Sequence, residues 1–255
     1  MIRVQNVSVG SRLLPLSFQF DKGEIVHVIG TNGSGKSTLL EAMSGIVGTS
    51  STVKGQVFID EHEVSKMSLA DLALHRAYLS QSARPSFSLE VFQFLSLSVP
   101  NCVKGDWQRV NMVLDELCEL LQIQDKLHRS IQQLSGGEWQ RVRLAAMCLQ
   151  VWPTLNPYAK LMILDEPAAP LDIGQEALLY QLINKITALG ISVVMANHDL
   201  NRTLRHAHKV LLLDKGVMES FGSTDEVLQA EKLSAVFKTE VKRIEVEKQP
   251  HLIFG

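Results

Sequence analysis

The chain has 255 residues, 45% of them hydrophobic and 20% charged, with a net charge of −2. That length suits one large or two small domains, and that balance can bury a core without disulfides. There is no basic excess to attract nucleic acid or anionic lipid, and the 3 cysteines, Cys102, Cys118 and Cys148, form no CxxC pair and read as reduced thiols.

From Ile2 to Phe20 the pattern predicts two short strands joined near Gly10. The alternation of Met1 to Val9 reads as strand and not as a secretory leader. Glu24 to Gly30 is an apolar run of the kind that forms a buried parallel strand. A helix follows over Lys36 to Ile46, then a strand over Gly55 to Asp60. Ser68 with Asp71 makes a capping box for a helix running toward Arg76, and Ala77 to Ser80 is a short strand.

Between Ser82 and Trp152, apart from the proline-containing segment just after Ser82, the spacing turns helical, with apolar residues three and four apart over Val110 to Leu121. Cys118 and Cys148 sit in such stretches and read as small core residues. Strand texture returns at Leu161 to Leu164 and at Ile191 to Ala196, flanking a helix over Gln175 to Leu189 that Gly190 closes. Val210 to Leu213 and Gly216 to Ser220 predict a hairpin, and Ser223 with Glu226 a further capping box. Val241, Ile244 and Val246 suggest one short strand in the tail. The fold class is therefore α/β. It has a mostly parallel core with antiparallel hairpins over 1–81 and 153–222, a helical subdomain over 82–152, and a C-terminal helix and tail over 223–255. No apolar run approaches the ~20 residues of a membrane-spanning helix. A membrane role would require another chain to do the spanning.

Three motifs carry chemistry. Gly30-Thr31-Asn32-Gly33-Ser34-Gly35-Lys36-Ser37, with Thr38 behind it, matches G-x-x-x-x-G-K-[ST] between a predicted strand and a predicted helix. Its glycines let backbone approach phosphate, its N–H groups and the helix start face the anion, Lys36 adds charge, and Ser37 offers a hydroxyl to Mg²⁺. By itself this loop serves an ATPase, a kinase or a GTPase. Leu161 to Glu166 is a strand ending in two carboxylates. Asp165 is placed for the metal, through a water ligand, and Glu166 for the attacking water. Ser135-Gly136-Gly137-Glu138, ahead of a helix over Trp139 to Gln150, is a second anion-binding device. Two phosphate cradles on one chain make sense when the second serves a neighbour's nucleotide.

On these motifs the chain resembles the ATP-binding subunits of ABC transporters over residues 1 to about 225. Ser135 to Glu138 matches the family's signature, with Glu138 where glutamine is usual. Gln81 matches the Q-loop glutamine, Ala168 to Asp172 the D-loop with Leu171 and Asp172 at its end, and His198 the switch histidine. The stretches Leu72 to Gln81, Leu134 to Ala146 and His198 to His208, with the insertion Val151 to Lys160, are most similar to the subunits that serve bacterial cobalamin importers. Those of iron–siderophore and haem importers are close to them.

The resemblance implies a P-loop NTPase core and a head-to-tail homodimer, with each ATP between one phosphate loop and the other signature. It further implies Glu166 as general base, His198 at the γ-phosphate, and Gln81 at the metal or water. ATP and Mg²⁺ are the implied cofactors. The implied partners are two transmembrane permease subunits and, indirectly, a periplasmic binding protein, with no nucleic acid. The chain would lie at the cytoplasmic face of the bacterial inner membrane. A DNA-repair or translation ATPase would usually bring a long coiled coil or two nucleotide domains, and a kinase needs neither signature nor switch histidine.

Some positions are read more modestly. The adenine-stacking aromatic that many relatives carry is missing from Ser8 to Leu14, where Arg12 offers a guanidinium plane instead. His27 reads as a core histidine, and His206 and His208 as two helical positions poorly spaced for one metal. Ser82 to Leu95, apolar and holding Pro85 and Phe87, is the candidate docking segment for a membrane subunit.

Overall fold

The computed structural model describes residues 1–46, 52–81, 84–103 and 105–255. In chain order the first elements are β1 (Ile2–Val9), β2 (Leu13–Phe20), β3 (Ile25–Gly30), α1 (Lys36–Ser44), β4 (Val53–Ile59), β5 (His62–Glu63), α2 (Leu69–His75) and β6 (Arg76–Leu79). Three helices follow, α3 (Val91–Ser96), α4 (Trp107–Leu121) and α5 (Gly136–Val151). Then come β7 (Leu161–Asp165), α6 (Ile173–Ala188), β8 (Ser192–Ala196), α7 (Leu200–His206), β9 (Lys209–Asp214) and β10 (Val217–Gly222). The chain closes with α8 (Thr224–Val227), α9 (Ala230–Phe237), β11 (Val241–Val246) and β12 (Gln249–Phe254).

Two compact units result, one of Met1–Met67 with Val194–Gly255 and one of Ser68–Val193. In the first, β1 pairs antiparallel with both β2 and β4, giving the order β2-β1-β4-β5. Its second sheet runs β10-β9-β3-β8, with β3 and β9 parallel and β9 and β10 antiparallel. Every residue of β3 is buried, as a continuous apolar run requires when both faces are covered. The two sheets meet where Leu14 N–H donates to the Gly216 carbonyl at 2.8 Å and where the Phe18 and Phe221 rings lie 5.1 Å apart.

The second unit holds β6 and β7 in parallel register, Arg76 beside Leu161 through Leu79 beside Leu164. The helical texture expected past the proline-containing segment appears as α3, α4 and α5. Helix α4 buries Val110, Val113, Leu117, Cys118 and Leu121 along one stripe. Asp106 caps it by accepting from Arg109 N–H at 3.1 Å. Helix α5 is the buried axis of this unit, with Trp139, Val142, Leu144, Ala145, Cys148 and Leu149 all inside. Burial pushes the Cys118 thiol up to about 11 and moves Cys148 further the same way, as inert core thiols.

Three local expectations are corrected. Helix α5 begins at Gly136 with Ser135 as its cap, so the signature glycines lie inside the first turn and not ahead of it. His208 falls beyond the end of α7 at His206, where its Nδ1 accepts from Ile25 N–H at 3.0 Å. The tail forms a two-stranded hairpin, turned at Glu247 and Lys248 with φ of 50° and 63°. No glycine marks that turn, so the sequence did not advertise it.

The hairpin is part of the core. Val241 and Leu252 are buried with Ile29, Leu200, Leu212 and Leu233. Asn201 on α7 holds it from both sides, donating to the Leu252 carbonyl at 3.0 Å and accepting from Leu252 N–H at 2.8 Å. Leu252→Ala is therefore expected to cost about 2–4 kcal/mol, as buried leucine truncations do. Urea unfolding of the full chain followed by tryptophan fluorescence measures it.

Candidate active site

The phosphate loop leaves β3 at Gly30, whose φ of 150° is outside the range that side chains favour. A Cβ there would lie 2.2 Å from the Leu213 carbonyl oxygen and 2.7 Å from Ser34 Oγ, so no side chain fits. Gly33 and Gly35 also take positive φ, 77° and 104°. Gly35 is the N-cap of α1 and has no side chain to close the helix start, which leaves first-turn amides available to an anion. Lys36 is 5% exposed, and its ammonium donates to the Gly30 carbonyl at 3.0 Å and the Thr31 carbonyl at 3.1 Å. Ser34 is buried inside the loop, and its hydroxyl finds no hydrogen-bond partner among the described residues. Thr31, Ser37 and Thr38 are half-buried, and Asn32 and Gly33 are exposed. A buried cation, an orphan hydroxyl and an uncapped helix start together fit a polyphosphate.

In the same unit the loop around His198 is held from below. Asn197 N–H donates to the Val28 carbonyl on β3 at 3.1 Å. His27 Nδ1 lies 3.0 Å from Thr203 Oγ1 and 3.4 Å from Asn197 Nδ2. Thr203 in turn donates to the Asp199 carbonyl at 2.9 Å, and the Asp199 side chain caps α7 by accepting from Arg202 N–H at 2.9 Å. His198 itself is exposed between these anchored neighbours. His27 is buried in the core as expected, bonded through Nδ1, and the residues it braces are those around the switch histidine.

In the second unit Asp165 ends β7 and is 5% exposed. Glu166 follows with φ of 50°, a left-handed conformation that costs a non-glycine residue about 1 kcal/mol. Strain of this kind is retained where surrounding structure enforces it. Here Ala169 N–H donates to the Glu166 carbonyl at 3.3 Å, and Gln140 Nε2 donates to the Pro167 carbonyl at 2.8 Å. Leu171 N–H donates to the Ala168 carbonyl at 2.9 Å, and Asp172 caps α6 by accepting from Gln175 N–H at 2.8 Å. Gln81 is exposed just past β6.

The signature turn is a reciprocal capping box. Ser135 Oγ accepts from Glu138 N–H at 3.2 Å, and Glu138 Oε2 accepts from Ser135 N–H at 2.8 Å. The Ser135 hydroxyl therefore keeps its proton free to donate. Glu138 is occupied as a cap, and Lys126 at 3.2 Å and Arg129 at 3.5 Å pair with it. The bond from Ser135 N–H, followed by the Lys126 ammonium, holds its carboxyl below the usual range. A Cβ on Gly137 would lie 2.2 Å from Gln175 Oε1, and one on Gly136 would lie 3.8 Å from Pro170 Cβ. The D-loop side of the unit thus packs on the signature glycines.

Sequence reasoning missed four polar supports, His27 among them in its bracing role, and Gln140, Arg143 and Arg84. The one local signal was Gln140 and Arg143, three apart on one helix face.

The comparisons with known proteins agree with this geometry. The ABC transporter family profile matches residues 13–169. The chain belongs to that family. It is an ATP-binding, ATP-hydrolysing subunit of the ABC type. It is 62% identical over 255 residues to the vitamin B12 import ATP-binding protein BtuD of Vibrio atlanticus (strain LGP32), covering 100% of both chains. It is 58% identical over 254 residues to the protein of the same name from Vibrio cholerae serotype O1 (strain M66-2), again covering 100% of both. Among solved structures, an ATP-binding subunit of an ABC transporter superposes with a TM-score of 0.77 at 22% identity, covering 93% of this chain and 96% of that one. That likeness is one of fold. No described helix is long and apolar enough to cross a membrane.

The buried imidazole gives a pH signature. Burial, with the nearby His206 and His208, pushes His27 down from 6.5 to about 3. Its folded value lies below its unfolded value, so acid favours the unfolded chain in the window between them. Stability falls as pH drops through 6.5 toward 3, and the loss at pH 5 is about 2 kcal/mol relative to neutrality. His27→Gln keeps hydrogen-bonding capacity and removes the titration. Urea midpoints at pH 7 and pH 5 should differ less in this variant than in wild type.

Proposed function

We propose that this chain is the ATPase subunit of a bacterial importer that takes up vitamin B12. The observation that supports the cargo is the full-length identity, 62% over 255 residues, to a vitamin B12 import ATP-binding protein. Two copies of the chain would work head to tail on separate transmembrane permease subunits fed by a periplasmic binding protein, at the cytoplasmic face of the inner membrane.

The roles follow from the residues. Gly30 to Thr38 would hold the triphosphate, with Lys36 turning its ammonium from the Gly30 and Thr31 carbonyls to the β- and γ-phosphates. Ser37, Asp165 and Gln81 offer a hydroxyl, a carboxylate and an amide oxygen, a donor set that suits Mg²⁺, with Asp165 acting through water. The cation would neutralise charge developing on the phosphates. Glu166 would take the proton of the attacking water, His198 would donate to the γ-phosphate, and Leu171 and Asp172 would line the dimer seam. Ser135 Oγ–H and the first-turn amides of Gly136 and Gly137 would meet the partner's γ-phosphate. Glu138, spent as a cap, supports that surface from behind and is not given a direct contact. Arg12 remains the candidate for adenine, tested by the ATP affinity of Arg12→Ala.

The docking proposal for residues 82–95 rests on Phe87, 59% exposed, and Phe92, 39% exposed. Ser82 and Ala83 lie outside the described residues. Exposed apolar surface of this kind suits a membrane subunit's cytoplasmic loop, and crosslinks from Phe87 to a permease would test it.

Glu166→Gln should bind ATP normally and hydrolyse it ~10²–10⁴-fold more slowly, the range for a lost general base; near-normal turnover would remove Glu166 from that role. Ser135→Arg should leave ATP binding to the single chain intact and abolish hydrolysis, read by nucleotide titration and phosphate release. For the cargo, cells lacking the chain are restored with wild type or Glu166→Gln and given labelled cobalamin or a labelled ferric siderophore. Cobalamin uptake with wild type alone supports the reading, and siderophore uptake instead reassigns the cargo.

A further inference from the structure

The two sides of Gln81 are both tied to the signature helix, by side chains that no motif accounts for. On the near side, the Arg143 guanidinium on α5 donates to the Ser80 carbonyl and, at 3.1 Å, to Gln140 Oε1. Gln140 passes the tie on, donating to the Pro167 carbonyl at 2.8 Å, one residue past Glu166. On the far side, the Arg84 guanidinium donates to the carbonyls of Gln132 at 3.2 Å, Leu134, and Ser135 at 3.0 Å. The link is mutual, because Gln132 Nε2 returns a bond to the Pro85 carbonyl at 2.5 Å. All these groups lie within Ser68–Val193.

Arginine suits both places. Its planar fork carries five donors and reaches several carbonyls at once, which a lysine ammonium does not do in fixed geometry. Arg143 is partly buried, and loss of water pushes its guanidinium slightly toward the neutral form, so the carbonyl and amide oxygens around it replace that water. Arg84 ends on the carbonyl of Ser135, the residue whose hydroxyl proton is free.

We propose that Arg84 and Arg143 are positioning residues for ATP hydrolysis: they brace the backbone on both sides of Gln81 against the signature turn, so that Gln81, Ser135 and the Glu166 turn keep one fixed geometry. The hydrogen bonds that both arginines donate end on protein oxygens. This rests on the proposed roles of Gln81 and Ser135. Small displacements of aligned groups cost up to ~10²-fold in rate, and the brace acts on alignment and not on nucleotide affinity.

The test uses the full chain carrying Arg84→Ala, Arg84→Lys or Arg143→Met, with Ser135→Arg alongside. Fluorescent ATP titration gives the nucleotide Kd, phosphate release gives kcat and KM, and melting gives Tm. ATP-dependent dimerisation is read by gel filtration in the Glu166→Gln background. The expected result is a Kd and Tm close to wild type, kcat lower by ~10-fold or more, and a weaker ATP-dependent dimer. Arg84→Lys should recover only part of the rate. A wild-type kcat in folded Arg84→Ala and Arg143→Met, or a loss that tracks Kd, overturns the proposal. If a variant does not fold, Gln132→Ala leaves the Arg84 bonds to backbone in place but removes the return bond from Gln132 Nε2 to the Pro85 carbonyl, and it is held to the same criteria. Full activity in Ser135→Arg would instead show that the shared-site reading itself has failed. Its inactivity beside a wild-type-like Arg84→Ala would sink the brace alone.

Discussion

The buried Lys36 ammonium is the charge around which the first unit is arranged. At 5% exposure it has lost its water, and a bare buried cation costs several kcal/mol. The carbonyls of Gly30 and Thr31 replace that water. Gly30 adopts a φ of 150°, and the Leu213 carbonyl leaves no room there for a side chain. The pairing of β3 with β9, Gly30 beside Leu213, is thus what restricts the loop's first residue to glycine. A phosphate then has an energetic reason to bind, since it offers Lys36 a full negative charge in place of two carbonyl dipoles.

The two helix starts on the chain are built differently. At α1 the cap is a glycine, and the amides stay available. At α5 the cap is Ser135, and Glu138 closes the box. The second start is thus closed by its own side chains, with the Ser135 hydroxyl proton left to donate.

Polar residues hidden beneath both sites fix their shape. His27, Asn197 and Thr203 hold the His198 loop onto β3. Gln140, Arg143 and Arg84 hold the Gln81 segment, the Glu166 turn and the signature turn onto α5. A buried polar group must find a partner or cost free energy. Thr203, Gln140, Arg143 and Arg84 find theirs on the carbonyls of Asp199, Pro167, Ser80 and Ser135, each next to or in a candidate site residue.

Most of the fold was legible in the sequence, because apolar periodicity and capping pairs are local. The all-apolar run ending in Gly30 became β3, Ser68 with Asp71 and Ser223 with Glu226 became caps, and the stripe from Val110 to Leu121 became one face of α4. The candidate site residues were legible for the same reason, since the phosphate loop, the acidic strand end and the signature are contiguous motifs. Tertiary structure decided what proximity across the chain decides. It brought Lys126 and Arg129 to the Glu138 carboxylate, placed Asn201 against the Leu252 hairpin, and brought Arg84 to the Ser135 carbonyl. Long side chains reach whatever backbone folding brings near, and a sequence holds no local record of that meeting.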